Sequence, residues 1–271
     1  MEATYLGPKG SFSEKAALKA FVESSLIPLP TIRQVIFSVE NGLYNYGIVP
    51  LENFYNGIVM QTVDCLTECK KTKIIDELYL KVEHCIGALP GHNEIKKIYS
   101  HPQALEQCTK YILLNYPKAE TIGVESTAKA VEIIKRDQTL DAAAIASKEA
   151  LGNSNMKIMD EDILPNNSTR FAIISSEKGK DNKKSKTLLS IHPKMDKPGI
   201  LYNVLKSIAE EKINMKHIHS RPDGKGKYFF ILEIEGHENE DNIIDAINKI
   251  ADYLGDKNSV KVLGSYSDRG K

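Results

Sequence analysis

The sequence predicts an α/β domain followed by a smaller domain of ferredoxin-like βαββαβ order. Three observations carry this. Short apolar strands alternate with helices whose starts are readable through the first two thirds of the chain. The segment 175–186 then holds no apolar residue and suits a linker. Beyond it the pattern becomes strand, helix, strand, strand, helix, strand over 187–266. A length of 271 residues fits two domains at ~100–200 residues each.

The elements of the first domain follow from local chemistry. Ser11 and Glu14 form a capping box, and Phe12, Ala16, Ala17, Ala20 and Phe21 recur at helical spacing, which predicts a helix ending near Ser24, before Pro28 and Pro30. Thr31 with Gln34 repeats the cap, and Val35, Ile36, Val39 and Leu43 give the next helix its apolar stripe. A strand over 46–49 precedes a helix that starts near Gly57 and carries Val59, Val63 and Leu66; strand-like runs then fill 73–89. The strand 95–99 leads into Ser100, with Pro102 suited to a first helical turn and Leu105, Cys108, Ile112 and Leu113 on the apolar face. A strand over 121–124, a helix over 126–136, a strand over 142–146 and a last strand over 170–174 complete the domain. The second domain has strands at 187–192, 215–220, 228–235 and 260–266, and helices at 199–211 and 242–254.

Composition narrows the function. Lys plus Arg and Asp plus Glu both number 36, so the net charge is zero and the field that gathers nucleic acid or anionic lipid is missing. No apolar run approaches the ~18 residues of a membrane span, and the N-terminus lacks the pattern of a signal peptide. No membrane partner and a cytoplasmic location are expected. The four cysteines, at 65, 69, 85 and 108, contain no C-x-x-C pair and read as free thiols. Cys65, Cys69, His84 and Cys85 fit no zinc module, so no metal site is expected. His217 and His219 share a strand face but read as a packed or solvated pair. Gly7 and Gly10 lack the further residues of a nucleotide-binding loop, and Ser100 and His101 diverge at a helix start, so they form no catalytic dyad.

Several strand-to-helix junctions are polar: 7–11, 52–57, 100–103 and 125–127. Helix starts present free N–H groups and suit a small anion, although each junction alone reads as ordinary capping. The run Asn166-Asn167-Ser168-Thr169-Arg170-Phe171 puts a hydroxyl beside a fixed cation at the start of a strand.

At these residues the chain resembles the prephenate dehydratase family. The matching blocks are Gly7-Pro8-Lys9-Gly10-Ser11-Phe12-Ser13, Val49-Pro50-Leu51-Glu52-Asn53 with Gly57 and Asp64, the run 100–108 from Ser100-His101-Pro102-Gln103, the run 143–146, and Asn167-Ser168-Thr169-Arg170-Phe171. The resemblance implies a two-lobed, periplasmic-binding-protein-like catalytic domain over 1–176, with lobe one at 1–78 plus 165–176 and lobe two at 79–164. A linker at 177–186 and an ACT regulatory domain at 187–266 would follow. It implies decarboxylation and dehydration of prephenate to phenylpyruvate in L-phenylalanine biosynthesis, with no cofactor. Since nothing precedes the first strand, the chorismate mutase domain fused in some relatives is expected to be absent and the enzyme to be monofunctional.

Carried over residue by residue, the family pattern makes Thr169 the donor to the departing hydroxyl, supported by Asn53, Ser100 and Gln107. Substrate binding falls to Ser11, Glu52, Arg170 and Phe171, with Glu52 either orienting Asn53 or capping a helix. The effector, L-phenylalanine, would meet Gly199, Ile200 and Leu201 and the block His219-Ser220-Arg221, at the interface of a homodimer or homotetramer. Three departures stand out. Ser11 replaces the usual Thr, Phe54-Tyr55-Asn56 replaces Ser/Thr-x-Glu, and His219 replaces a Glu, which would weaken pairing with an effector ammonium. Arogenate is an alternative substrate, and a non-catalytic amino-acid or dicarboxylate sensor is the competing function.

Overall fold

The computed structural model describes residues 2–21, 25–177, 185–195, 197–222 and 228–268. The chain opens with β1 (Glu2–Leu6), α1 (Phe12–Ala20), β2 (Ser25–Leu29), α2 (Ile32–Glu40), β3 (Tyr46–Asn53), β4 (Gly57–Ile58), α3 (Met60–Glu68) and β5 (Lys73–Lys81). It continues through β6 (Cys85–Ala88), β7 (Lys97–Ser100), α4 (Pro102–Gln107), α5 (Thr109–Asn115), β8 (Glu120–Gly123), α6 (Thr127–Asp137), β9 (Ala142–Ala146), α7 (Lys148–Asn153) and β10 (Lys157–Asp160). After β11 (Ser168–Ser175) come β12 (Ser185–Ile191), α8 (Ile200–Glu210), β13 (Met215–Pro222), β14 (Tyr228–Glu235), α9 (Asp241–Leu254) and β15 (Val260–Ser267).

The helix starts are fixed by the predicted side chains. Ser11 Oγ accepts from Glu14 N–H at 3.2 Å, and the Glu14 carboxylate reaches back to Gly10 N–H. Thr31 Oγ1 accepts from Gln34 N–H at 3.1 Å, and Ser126 Oγ from Lys129 N–H at 3.0 Å. No strand is expected at 25–29, where Pro28 and Pro30 read only as an interruption. Yet β2 is the sheet edge beyond β1, and there a missing N–H breaks no inner ladder. The first helix is described only to Ala20, and its expected end near Ser24 lies outside the described residues. Leu43 lies beyond α2 and is exposed, and Leu113 faces outward from α5, so neither joins its expected apolar stripe.

Two sheets organise the chain. The strands β10-β6-β9-β7-β8 form one, flanked by α4 to α7, and make the second lobe. The larger sheet runs β13-β14-β12-β15-β5-β11-β3-β1-β2, with β4 on β3. Strand β5 carries this sheet to Lys81, three residues past the lobe boundary expected at 78. The last four strands stand in the order expected of βαββαβ, and one of their faces packs on α8 and α9. Their other face folds back onto lobe one, where Leu188, Phe229, Ile231, Leu263 and Tyr266 share a core with Val49, Val63, Ala172 and Ile174. Two side chains tie these strands to α3. Lys261 Nζ donates to Thr67 O and Cys69 O at the helix end, and Arg221 pairs with Asp64 at 2.8 Å.

The linker reading needs a correction. Residues 178–184 lie outside the described residues, but Ser185 and Lys186 belong to β12 and are buried, and Ser175 is the buried end of β11. Lys186 is interior because Glu77 lies 3.0 Å from its Nζ. Apolar content misses such a residue, since a buried charge needs only a partner.

The two halves of the large sheet meet at a parallel contact between Gly264 of β15 and Ile74 of β5. A Cβ at Gly264 would stand 2.2 Å from Ile74 O and 2.6 Å from Ile74 N, far inside the contact distance of a carbon atom. Gly264→Ala is therefore expected to cost ~1–3 kcal/mol in chemical denaturation, as overpacked cores do. An unchanged midpoint would mean that the contact is loose.

Candidate active site

A cleft of about 430 Å³ lies between the lobes, within the ~300–1,000 Å³ usual for small-molecule sites. Five of the expected residues line it: Ser11, Asn53, Gln107, Thr169 and Phe171. They arrive from α1, β3, α4 and β11, and the pairing of β11 with β3 sets Thr169 opposite Asn53.

Three amides form a closed ring beside Thr169. Asn53 Nδ2 donates to Asn167 Oδ1 at 3.0 Å, Asn167 Nδ2 to Gln107 Oε1 at 3.5 Å, and Gln107 Nε2 to Asn53 Oδ1 at 3.0 Å. Asn53 Nδ2 also donates to Thr169 Oγ1 at 3.1 Å. With a lone pair of its oxygen taken by an N–H, the Thr169 hydroxyl keeps its own proton for the cleft. Asn53 Oδ1 also accepts from Tyr55 N–H and Asn56 N–H, so the departure at 54–56 supports the ring through its backbone. Gln107 Nε2 further donates to Asn56 Oδ1.

Other expected site residues lie elsewhere. Ser100 is fully buried and donates to Ile145 O at 2.6 Å, so it ties β7 to β9 and does not line the cleft. Ser11 lines the cleft, but its hydroxyl is occupied as the α1 cap and by Leu6 O. Arg170 and Glu52 are corrected most. Arg170 is 3% exposed and extends from the opposite face of β11 to Glu52 at 3.0 Å, Glu77 at 3.3 Å and Glu233 at 2.5 Å. Glu52 is thereby a partner of Arg170, and neither faces the cleft. Tyr266 Oη donates to Glu233 at 2.6 Å, and Lys186 completes the cluster. Burial pushes the Glu77 carboxyl upward, with Lys186 and Arg170 offsetting part of this. Burial acts the same way on Glu233, but there Arg170, Lys186 and the Tyr266 hydroxyl outweigh it and hold the group below the ordinary range.

The effector set divides in two. Gly199 caps α8 in the left-handed region, followed by Ile200 and Leu201, whereas His219, Ser220 and Arg221 lie on β13, an edge strand. No hydrogen bond or ion pair joins the two groups among the described residues, and Arg221 is paired to Asp64 of α3. The cysteines are buried free thiols, and burial pushes those of Cys69 and Cys108 up to about 12. No cluster of potential metal ligands occurs among the described residues.

Sequence reasoning missed Asn167 as a ring member and His84 and Ser13 as cleft residues. His84 is buried in the cleft wall, edge-on to Phe12, and its Nδ1 has no hydrogen-bond partner among the described residues.

Comparison with known proteins accords with this geometry. The family profile described as prephenate dehydratase matches residues 3–179, and that of the ACT domain matches 188–252. The chain belongs to the prephenate dehydratase family. Prephenate dehydratase of Methanocaldococcus jannaschii is 37% identical, with 97% of this chain and 96% of the relative aligned. The bifunctional chorismate mutase/prephenate dehydratase of Aquifex aeolicus is 36% identical over 98% of this chain and 73% of its own length. Among solved structures, prephenate dehydratase from Arthrobacter aurescens in complex with L-Phe is 27% identical, with a TM-score of 0.86 over 98% of this chain and 90% of that one. The two-lobed, periplasmic-binding-protein-like architecture of prephenate dehydratases, with a C-terminal ACT domain, is thus the architecture of this chain.

His84 supplies a pH test. Burial lowers its pKa from 6.5 to about 4, partly offset by Gln107. The unfolded chain therefore binds this proton more readily. Stability held by the neutral imidazole is complete above pH 6.5 and is lost as pH falls toward 4. His84→Gln is expected to flatten the fall in denaturant midpoint between pH 6.5 and 4.5, above the ordinary glutamate value. An unaltered slope would exclude His84 as its source.

Proposed function

We propose that this chain converts prephenate to phenylpyruvate, with Thr169 as the hydrogen-bond donor to the leaving hydroxyl. The observation that carries the reading is the 3.1 Å bond from Asn53 Nδ2 to Thr169 Oγ1, which leaves the threonine proton for the cleft. In the reaction the bond to one carboxylate breaks and its electron pair enters the ring. Carbon dioxide departs, and the ring C–O bond gives up hydroxide, which takes its proton from solvent water. A threonine hydroxyl is a weak acid, so its part is to stabilise the oxygen as negative charge gathers there. Asn53 and Gln107 hold it in place, and the gain in aromaticity supplies the driving force.

The ACT domain and the L-Phe complex of the Arthrobacter aurescens enzyme support feedback by L-phenylalanine. Gly199, Ile200 and Leu201 on one subunit and the His219-Ser220-Arg221 edge strand on another would then meet across a homodimer or homotetramer interface. An edge strand leaves backbone groups free for such pairing. The catalytic unit is taken as residues 1–176 and the regulatory unit as 187–266, with Lys186 joining the latter's first strand. We assign the protein to the cytoplasm, and prephenate over arogenate as substrate.

Following phenylpyruvate release from prephenate tests the assignment. Thr169→Ala is expected to lower kcat by ~10²–10³-fold with an unchanged circular dichroism spectrum. Near wild-type turnover would remove Thr169 from the mechanism, and no turnover by the folded wild type would favour an amino-acid or dicarboxylate sensor. Saturating L-phenylalanine is expected to reduce activity, and His219→Glu to lower the concentration required, since a carboxylate replaces an imidazole beside the effector ammonium. No response in either protein would sink the regulatory assignment.

A further inference from the structure

The cleft must hold a dianion, yet no lysine or arginine is among its described lining residues. Arg170 is committed to the opposite face of β11. Lys9 and Lys129 line a wider adjoining cavity that shares Gly7, Pro8, Glu125 and Ser126 with the cleft, and Lys129 is paired there with Glu132. What the cleft floor does offer is the start of α1. Ser11 Oγ takes the Glu14 N–H and Ser11 O takes the Lys15 N–H, so the N–H groups of Phe12 and Ser13 have no partner within the helix. Ser13 is itself 8% exposed and lines the cleft, and its hydroxyl has no partner among the described residues. The nearby Glu14 carboxylate is turned back onto the Tyr5 hydroxyl and Gly10 N–H, outside the cleft lining.

Resting on the prephenate assignment, we propose that Ser13 Oγ and the first N–H groups of α1 seat the carboxylate that prephenate retains, while the departing carboxylate meets no cation. The chemistry separates the two groups. The retained 2-oxo carboxylate bears the same charge throughout, so a helix start can hold it equally in substrate, transition state and product. The other loses its charge as carbon dioxide forms. A paired arginine would stabilise it most before the reaction and so raise the barrier. Placing the one strand arginine beside Thr169 on the far face keeps that pairing from forming.

The seat is read by a KM-against-kcat split and by the product. Ser13→Ala is expected to raise KM for prephenate ~10-fold while kcat falls less than ~3-fold, the pattern of lost uniform binding. The dissociation constant of phenylpyruvate, which keeps only this carboxylate, should rise by the same factor in calorimetric titration. Ser13→Thr should restore both values, and Ser13→Asp, which a helix start accepts, should abolish phenylpyruvate binding by repulsion. A loss confined to kcat, or phenylpyruvate binding equal to wild type in Ser13→Ala and Ser13→Asp, would overturn the seat. The two failures are distinguishable: wild-type protein that neither turns over prephenate nor binds phenylpyruvate overturns the prephenate assignment, whereas wild-type protein that does both, with Ser13→Ala binding phenylpyruvate equally well, overturns the seat alone.

Discussion

Arg170 lies where β11 and the sheet of the ACT domain meet, and its charge has to be satisfied there before either can be placed. It gathers Glu52 from β3, Glu77 from β5 and Glu233 from β14, while Lys186 of β12 and the Tyr266 hydroxyl of β15 close the group. Two cations among three carboxylates, nearly all removed from water, form a costly arrangement that tolerates no missing member. Removal of one partner from such a group typically costs ~3–5 kcal/mol, because the others are left buried and unpaired. The cluster is thus a registration device. It admits one alignment of the last four strands on lobe one, and the shared apolar core supplies the bulk of the adhesion around it.

That registration reaches the proposed donor, Thr169, through one peptide unit. Thr169 precedes Arg170 on β11, so whatever fixes the arginine on one face fixes the hydroxyl on the other. The amide ring works from the cleft side. Its members each donate and accept within the ring, a closed arrangement in which the bonds polarise one another. The threonine is held between a charged cluster below and a neutral one above, and neither consumes its proton.

Much of this was legible in the sequence where the cause is local. Ser11 with Glu14, and Thr31 with Gln34, cap helices because three-residue spacing is enough to close those bonds. The βαββαβ order followed from alternation and helical periodicity. The misassigned residues share a different cause. Arg170 and Glu52 are sequence neighbours of Thr169 and Asn53, and motif reasoning placed each pair in one site. All four lie on strands, however, and strand alternation sends adjacent side chains to opposite faces. That period of two was available and would have separated them. Lys186 was hidden because its partners, Glu77 and Glu233, are far away in sequence. Asn167 and His84 were hidden because a ring and a wall exist only after the lobes are assembled.

The amide ring also joins the two lobes. Asn53 and Asn167 belong to the stretch around β3 and β11, while Gln107 stands at the end of α4 in the second lobe. Gln107 takes part in two of the three ring bonds, one of them to Asn53 Oδ1, so the ring is complete only with the two lobes together. The bond from Asn53 to Thr169 is drawn from β3 and β11 alone and does not depend on that closure, so the second lobe completes the ring without being needed to hold the hydroxyl.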